Sequence, residues 1–267
     1  MMITRSVKLV TMNFLFLALM QWVPPSAGTE AYAAGTQESQ REANMTTSNS
    51  KESPLACNIN ALNAAERSRI HALLTEFRAN AQGIKELPNG YAVRLSKEAS
   101  LIRDVAEYIT LERLCCPFFD FGLESEAEGG YIWLALTGRQ GVKEFSKIEF
   151  AIQKADTFEG PVNAKQSPLV CNDAALTTAQ LVRLGALVKG FRTAKQEVKE
   201  LPDGYALRLP CETSTIMDVA EFMALVRTCS PYFDTALEAG REDGPVWLRV
   251  TGRPGVKQLV RSEFLNA

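Results

Sequence analysis

Apolar residues recur along this chain with two alternating periods. Ile70, Leu73, Leu74 and Phe77 fall at helical spacing, and the same spacing returns at Leu184, Leu187, Val188 and Phe191. Ahead of each run stands a capping-box pair, Asn63 with Glu66 and Thr177 with Gln180, so a helix is expected to open at each. "IKELPNGYAVRL" then reads as a hairpin turning on Pro-Asn-Gly. A second helix is expected from about Glu98 to Cys115, with Ile102, Val105, Ala106 and Ile109 on its buried stripe and Pro117 as its stop. Beyond it Phe119, Phe121, Leu123 and, after a Gly-Gly turn, Ile132, Leu134 and Leu136 alternate with more polar positions, the mark of a hairpin with one buried face. By the same alternation Trp133 and Trp247 lie on the opposite face, where they suggest a second packing surface between parts of the chain. Val142 and Phe145 begin a short third helix, and "TGRQGVK" is the strand-to-helix turn before it.

The pattern is written twice. "KELPNGYAVRL" at Lys85 returns as "KELPDGYALRL" at Lys199, "DVAEYITLERLCCPFFD" at Asp104 as "DVAEFMALVRTCSPYFD" at Asp218, and "WLALTGRQGVK" at Trp133 as "WLRVTGRPGVK" at Trp247. Each pair is 114 residues apart (199 − 85, 218 − 104, 247 − 133), and about half the aligned positions from Cys57 to Phe150 are identical. Self-similarity of this kind is a duplicated domain. The expected architecture is α+β: two tandem copies of an α-β-β-α-β-β-α unit, each with an antiparallel four-stranded sheet and helices on one face. Repeat 1 spans 55–150 and repeat 2 spans 169–267, joined by a linker over 151–168. Each copy is long enough for its own core, so a fragment from Pro54 to Phe150 is expected to unfold cooperatively by itself.

The first residues change the compartment. Arg5 and Lys8 precede the apolar run "LVTMNFLFLALMQWV", and Ala31-Tyr32-Ala33 offers small residues where a signal peptidase reads, so 1–33 is expected to be a signal peptide and the protein exported, periplasmic or extracellular. A retained anchor fits less well, because Thr11, Asn13 and Gln21 interrupt the run, and no later segment approaches the roughly 18 apolar residues a span needs. Residues 34–54 are polar and read as a disordered linker. A net charge of −2 and a pI near 5.7 provide no basic field for nucleic acid. The partner is left unspecified, apart from a contact between the two repeats.

Six cysteines in an exported chain favour cross-links, and the one histidine, His71, is Gly185 in the other copy, so nothing the repeats share depends on imidazole. The element order brings the C-terminal end of helix 2 beside the start of helix 1. Cys57 and Cys115 are then neighbours, as are Cys171 and Cys229, and disulfides Cys57–Cys115 and Cys171–Cys229 are expected, with Cys116 and Cys211 left over. Asp104 with Glu107, and Asp218 with Glu221, read as solvated helix faces. Asp120 and Asp234 read as ion-pair partners of Arg113 and Arg227. No catalytic constellation is recognised and no cofactor is expected.

"ExxCCPFxxFxL", a cysteine ahead of helix 1, and "WLxLTGxxGVKxF" resemble a small Cys-Cys-Pro-Phe domain found alone or appended to regulators of the MerR type, many of which sense thiophilic metals. The resemblance covers both repeats and implies a cysteine-rich module with Cys57, Cys115 and Cys116 as a soft-metal ligand set. The second copy departs from it, with Val226, Ser230 and Thr235 for Glu112, Cys116 and Phe121. The regulators' DNA-binding helix-turn-helix is absent too, so transcriptional regulation is not carried over. Three readings of "CC" therefore stand. The preferred one is an exported, non-enzymatic binding or scaffold protein cross-linked by disulfides; the others are a thiolate site for mercury- or arsenic-type ions and a thiol–disulfide redox protein.

Overall fold

The helix starts follow from local chemistry. In the structure, a computed structural model that describes residues 52–156 and 166–265, Asn63 and Glu66 close a full capping box, as do Thr177 and Gln180. The signal peptide, most of the 34–54 linker and residues 157–165 lie outside the described residues. The first repeat is built of α1 (Ala64–Ala79), β1 (Gly83–Leu87), β2 (Gly90–Leu95), α2 (Ser100–Cys115), β3 (Phe119–Ser125), β4 (Ile132–Gly138) and α3 (Val142–Glu149). The second contributes α4 (Thr178–Ala194), β5 (Glu197–Glu200), β6 (Gly204–Leu209), α5 (Thr213–Cys229), β7 (Phe233–Ala239), β8 (Val246–Gly252) and α6 (Val256–Phe264). Gly141 and Gly255 cap α3 and α6 with φ of 93° and 100°, the left-handed turn that "TGRxGVK" requires.

The α+β class with antiparallel pairing holds. The expected pair of four-stranded sheets does not: all strands form one eight-stranded sheet, ordered β1-β2-β4-β3-β7-β8-β6-β5. An antiparallel seam of β3 against β7 joins the halves, with Leu123 opposite Leu237, Phe121 opposite Ala239 and Ser125 opposite Thr235. These pairs are symmetric under the 114-residue offset, so a local two-fold axis passes between Leu123 and Leu237. Burial alternates strictly along β3 and β4, and Leu123, Leu134, Leu237 and Leu248 are fully covered. Above the seam α2 packs on α5. The opposite face carries Trp133, Arg94, Glu124, Trp247 and Arg249, so the tryptophans do lie away from the core, but the repeats meet edge to edge and not through them.

Reciprocal loops lock the seam. The β7–β8 turn reaches the first repeat, where the Glu242 amide donates to the Pro117 carbonyl (2.8 Å), and the β3–β4 turn returns the contact from the Glu128 amide to the Pro231 carbonyl (2.5 Å). Arg113 donates to the Gly240 carbonyl (2.5 Å), while Arg227 donates to Ser125 Oγ and to the carbonyls of Lys97, Glu126 and Gly130 at 2.5–3.1 Å. The expected pairing of Asp120 and Asp234 with Arg113 and Arg227 is therefore corrected. Asp120 accepts from the amide and guanidinium of Arg241, and Asp234 from the Ala127 amide, both across the seam. Both arginines reach across the seam to backbone carbonyls, and the aspartates cap the incoming loops. Asp104 with Glu107 and Asp218 with Glu221 are clamped by Arg69 and Arg183 on the partly exposed face.

Three outcomes follow. Residues 52–156 expressed alone expose a self-complementary β3 edge, so the fragment should form a concentration-dependent dimer by light scattering; a well-folded monomer at tens of micromolar would show the seam to be dispensable. Arg227→Met should lower stability by about 2–4 kcal/mol in urea unfolding, through several lost charge-assisted bonds. Arg69→Met, which breaks a solvent-screened pair, should cost about 1 kcal/mol or less.

Candidate functional site

The end of helix α2 delivers three chemical groups to one point because its last turns keep one face buried. Glu112 continues the buried stripe of Ile102, Val105 and Ile109, Cys115 closes the helix, and Cys116 is its C-cap, where the backbone leaves helical geometry. The Asn58 amide donates to the Cys115 carbonyl (2.7 Å) and ties the segment before α1 to this end, as Asn172 does to Cys229 (2.7 Å) in the second repeat. The inferred neighbourhood of the cysteines is therefore present in both copies.

The pairing within it differs from expectation. Cys57 is bonded to Cys116, with Cα atoms 4.5 Å apart, and not to Cys115. Cys115 lies on the last helical turn and turns inward, its Sγ 3.6 Å from the Glu112 carbonyl and 3.7 Å from Glu112 Oε2, whereas the cap residue swings out toward Cys57. Cys171 and Cys229 are likewise free thiols rather than a disulfide. The residue that would match Cys116 is Ser230, 3.5 Å from Cys229 Sγ. Cys211, the remaining thiol, is exposed and accepts from Arg113 Nη2 at 2.9 Å.

Around the cross-link the first repeat concentrates polar groups in a dry setting. The ligating atoms of Cys57, Glu112 and Cys116 lie within 4.8 Å of one another. Cys115 Sγ is 3.6 Å from Cys116 Sγ. Cys57 is exposed, whereas Glu112, Cys115 and Cys116 are at most 4% exposed, so the group opens to solvent on one side only. Burial, reinforced by the nearby Glu149 charge, pushes the Glu112 carboxyl up to about 8. Burial and Glu112 push the Cys115 thiol up to about 12, so it rests protonated. Glu149 is also raised, chiefly by burial, and accepts from the Tyr108 hydroxyl at 3.4 Å.

Cys57, Cys115 and Cys116, the three residues the resemblance singled out, come together at this helix end, two of them as a disulfide and Cys115 as a protonated thiol. Sequence reading did not assign a role to Glu112, Tyr108 or Glu149. The signal was available, since Glu112 occupies an apolar stripe position that the other copy fills with Val226, and Tyr108 is replaced by Phe222. In the second repeat Glu263, the counterpart of Glu149, is 60% exposed and pairs loosely with Arg192. His71 sits exposed on α1 and takes no part. Among the described residues no helix is long and apolar enough to cross a membrane. No family model matches the chain, and no curated protein or solved structure is significantly similar to it.

The buried acid fixes a pH dependence. Folded Glu112 holds its proton up to about pH 8, while the unfolded side chain releases it at the ordinary value near 4.5. Stability from this group is complete below about pH 4.5 and is lost as pH rises toward 8. Glu112→Gln keeps the shape without the titration, so at pH 8 it should be more stable than wild type by on the order of 3–5 kcal/mol relative to their difference at pH 4. Urea unfolding of both proteins across this range checks it; parallel curves would mean that Glu112 is solvated.

Proposed function

We propose that this is an exported, non-catalytic binding protein whose ligand site is the thiol cluster of the first repeat, open to a soft metal or metalloid ion once the Cys57–Cys116 bond is reduced. The observation that carries the reading is the convergence of three sulfurs and one carboxylate in that repeat, at positions where the second copy keeps only two sulfurs. Thiolates select mercury- and arsenic-type ions without imidazole. Cys57 supplies the exposed route in, and the buried Cys115 and Cys116 supply the dry side of the site. The second repeat serves as scaffold, its β7–β8 turn holding the Pro117 carbonyl just after the cysteine pair. The basic start, the apolar run and the Ala31-Tyr32-Ala33 segment support export.

A second reading, thiol–disulfide exchange, is favoured by one observation: an unpaired thiol, Cys115, stands 3.6 Å from a sulfur of the disulfide.

One titration separates them. The reduced protein should bind one arsenite at this site with a sulfur-to-arsenic absorption band, Cys116→Ser should weaken binding at least 100-fold, and the unreduced protein should bind none there. Arsenite affinity unchanged by Cys116→Ser would end the metal-site reading. Acceleration of disulfide reduction in a model peptide, lost in Cys115→Ser, would favour the redox reading instead.

A further inference from the structure

We infer that the second repeat contains a separate two-thiol site, Cys171 with Cys229, that captures monosubstituted trivalent arsenicals. The inference goes beyond the first-repeat site and does not rest on it. The Asn172 amide bonds the Cys229 carbonyl at 2.7 Å and so holds Cys171 against the end of α5. There Cys171 has Cys229, Ser230 and Asp173 as its polar neighbours, and Ser230 Oγ lies 3.5 Å from Cys229 Sγ. In the first repeat the equivalent sulfur is consumed by Cys116; here that position is Ser230, so both sulfurs stay available. Cys171 is partly open to solvent while Cys229 is fully buried, which provides an entrance and a closed end.

The surroundings choose the ligand class. Val226 replaces the carboxylate of Glu112 and Phe222 replaces Tyr108, so those two positions are apolar, while the Asp173 carboxylate and the Ser230 and Tyr232 hydroxyls border the thiols. Two soft donors, one fewer than in the first repeat, suit a centre with two exchangeable valences and one organic substituent. Such a centre reacts as an arsenoso group: two S–As bonds form, two S–H bonds break, and the arsenic oxygen departs as water with both protons. No electrons are exchanged, and no co-reactant is needed. Inorganic arsenite, which satisfies itself with three sulfurs, is better served by the first repeat.

The test uses the full unreduced chain, in which the first repeat remains closed by its disulfide and four thiols are free, Cys115, Cys171, Cys211 and Cys229. Phenylarsine oxide is added in equimolar amount, and thiols are counted after denaturation. The count should fall from four to two, with the adduct bridging the peptides that contain Cys171 and Cys229. Cys171→Ser should weaken capture at least 100-fold, and Cys211→Ser should not change it. Capture that survives Cys171→Ser, no protected thiols, or a starting count of two because Cys171 and Cys229 are already bonded would each overturn the site. None of these results bears on arsenite binding by the reduced first repeat.

Discussion

Antiparallel pairing of β3 with β7 is the constraint on which the rest of the molecule depends. An unpaired edge strand presents a row of amides and carbonyls that must find partners, and each half of this sheet finds them in the other half. Because the seam sits on a local two-fold axis, whatever one repeat extends toward its neighbour is returned. The α2–α5 contact and the reciprocal turns onto Pro117 and Pro231 are consequences of that geometry. The cysteine pair is one residue from such a contact, so the shape of the candidate site is set partly by residues of the other repeat.

Within this symmetric frame the two helix ends have different physical characters. The first gathers Glu112, Glu149 and Tyr108 in a poorly hydrated region, an arrangement that opposes folding once the carboxyls ionise. The Cys57–Cys116 bond closes a span of 59 residues, which in the chain-entropy model stabilises by about 4 kcal/mol and so offsets a penalty of similar size. The second end has neither the buried acid nor the cross-link, and Phe222, which stands where the first repeat has Tyr108, packs there on Phe191 and Phe264. The buried acid and the covalent closure thus belong to the same repeat.

The duplication, the element types and the approach of Cys57 to the end of α2 were legible in the sequence, because they follow from period, caps and chain direction. The seam was not. Phe119, Phe121 and Leu123 alternate identically whether β3 is an edge or a centre, and side chains report the face of a strand, not what lies beside it. The choice between Cys115 and Cys116 turned on a single step of helix geometry: the last helical residue turns toward Glu112 and the cap residue toward Cys57. The first repeat's acid was legible in principle, as a carboxylate on the stripe that otherwise reads Ile102, Val105 and Ile109. Its isolation among apolar neighbours was the clue to its chemistry.

The self-complementary seam has a consequence for how such a protein changes over time. In an assembly of two identical chains every substitution is made twice, so a buried carboxylate at a helix end would burden both halves at once, and association would vary with dilution. Carrying both copies on one chain makes their encounter intramolecular and independent of concentration. It also lets the halves mutate separately. One end could acquire an acid and a reactive sulfur while its sister kept valine and serine, and the intact sister continued to hold the common sheet together.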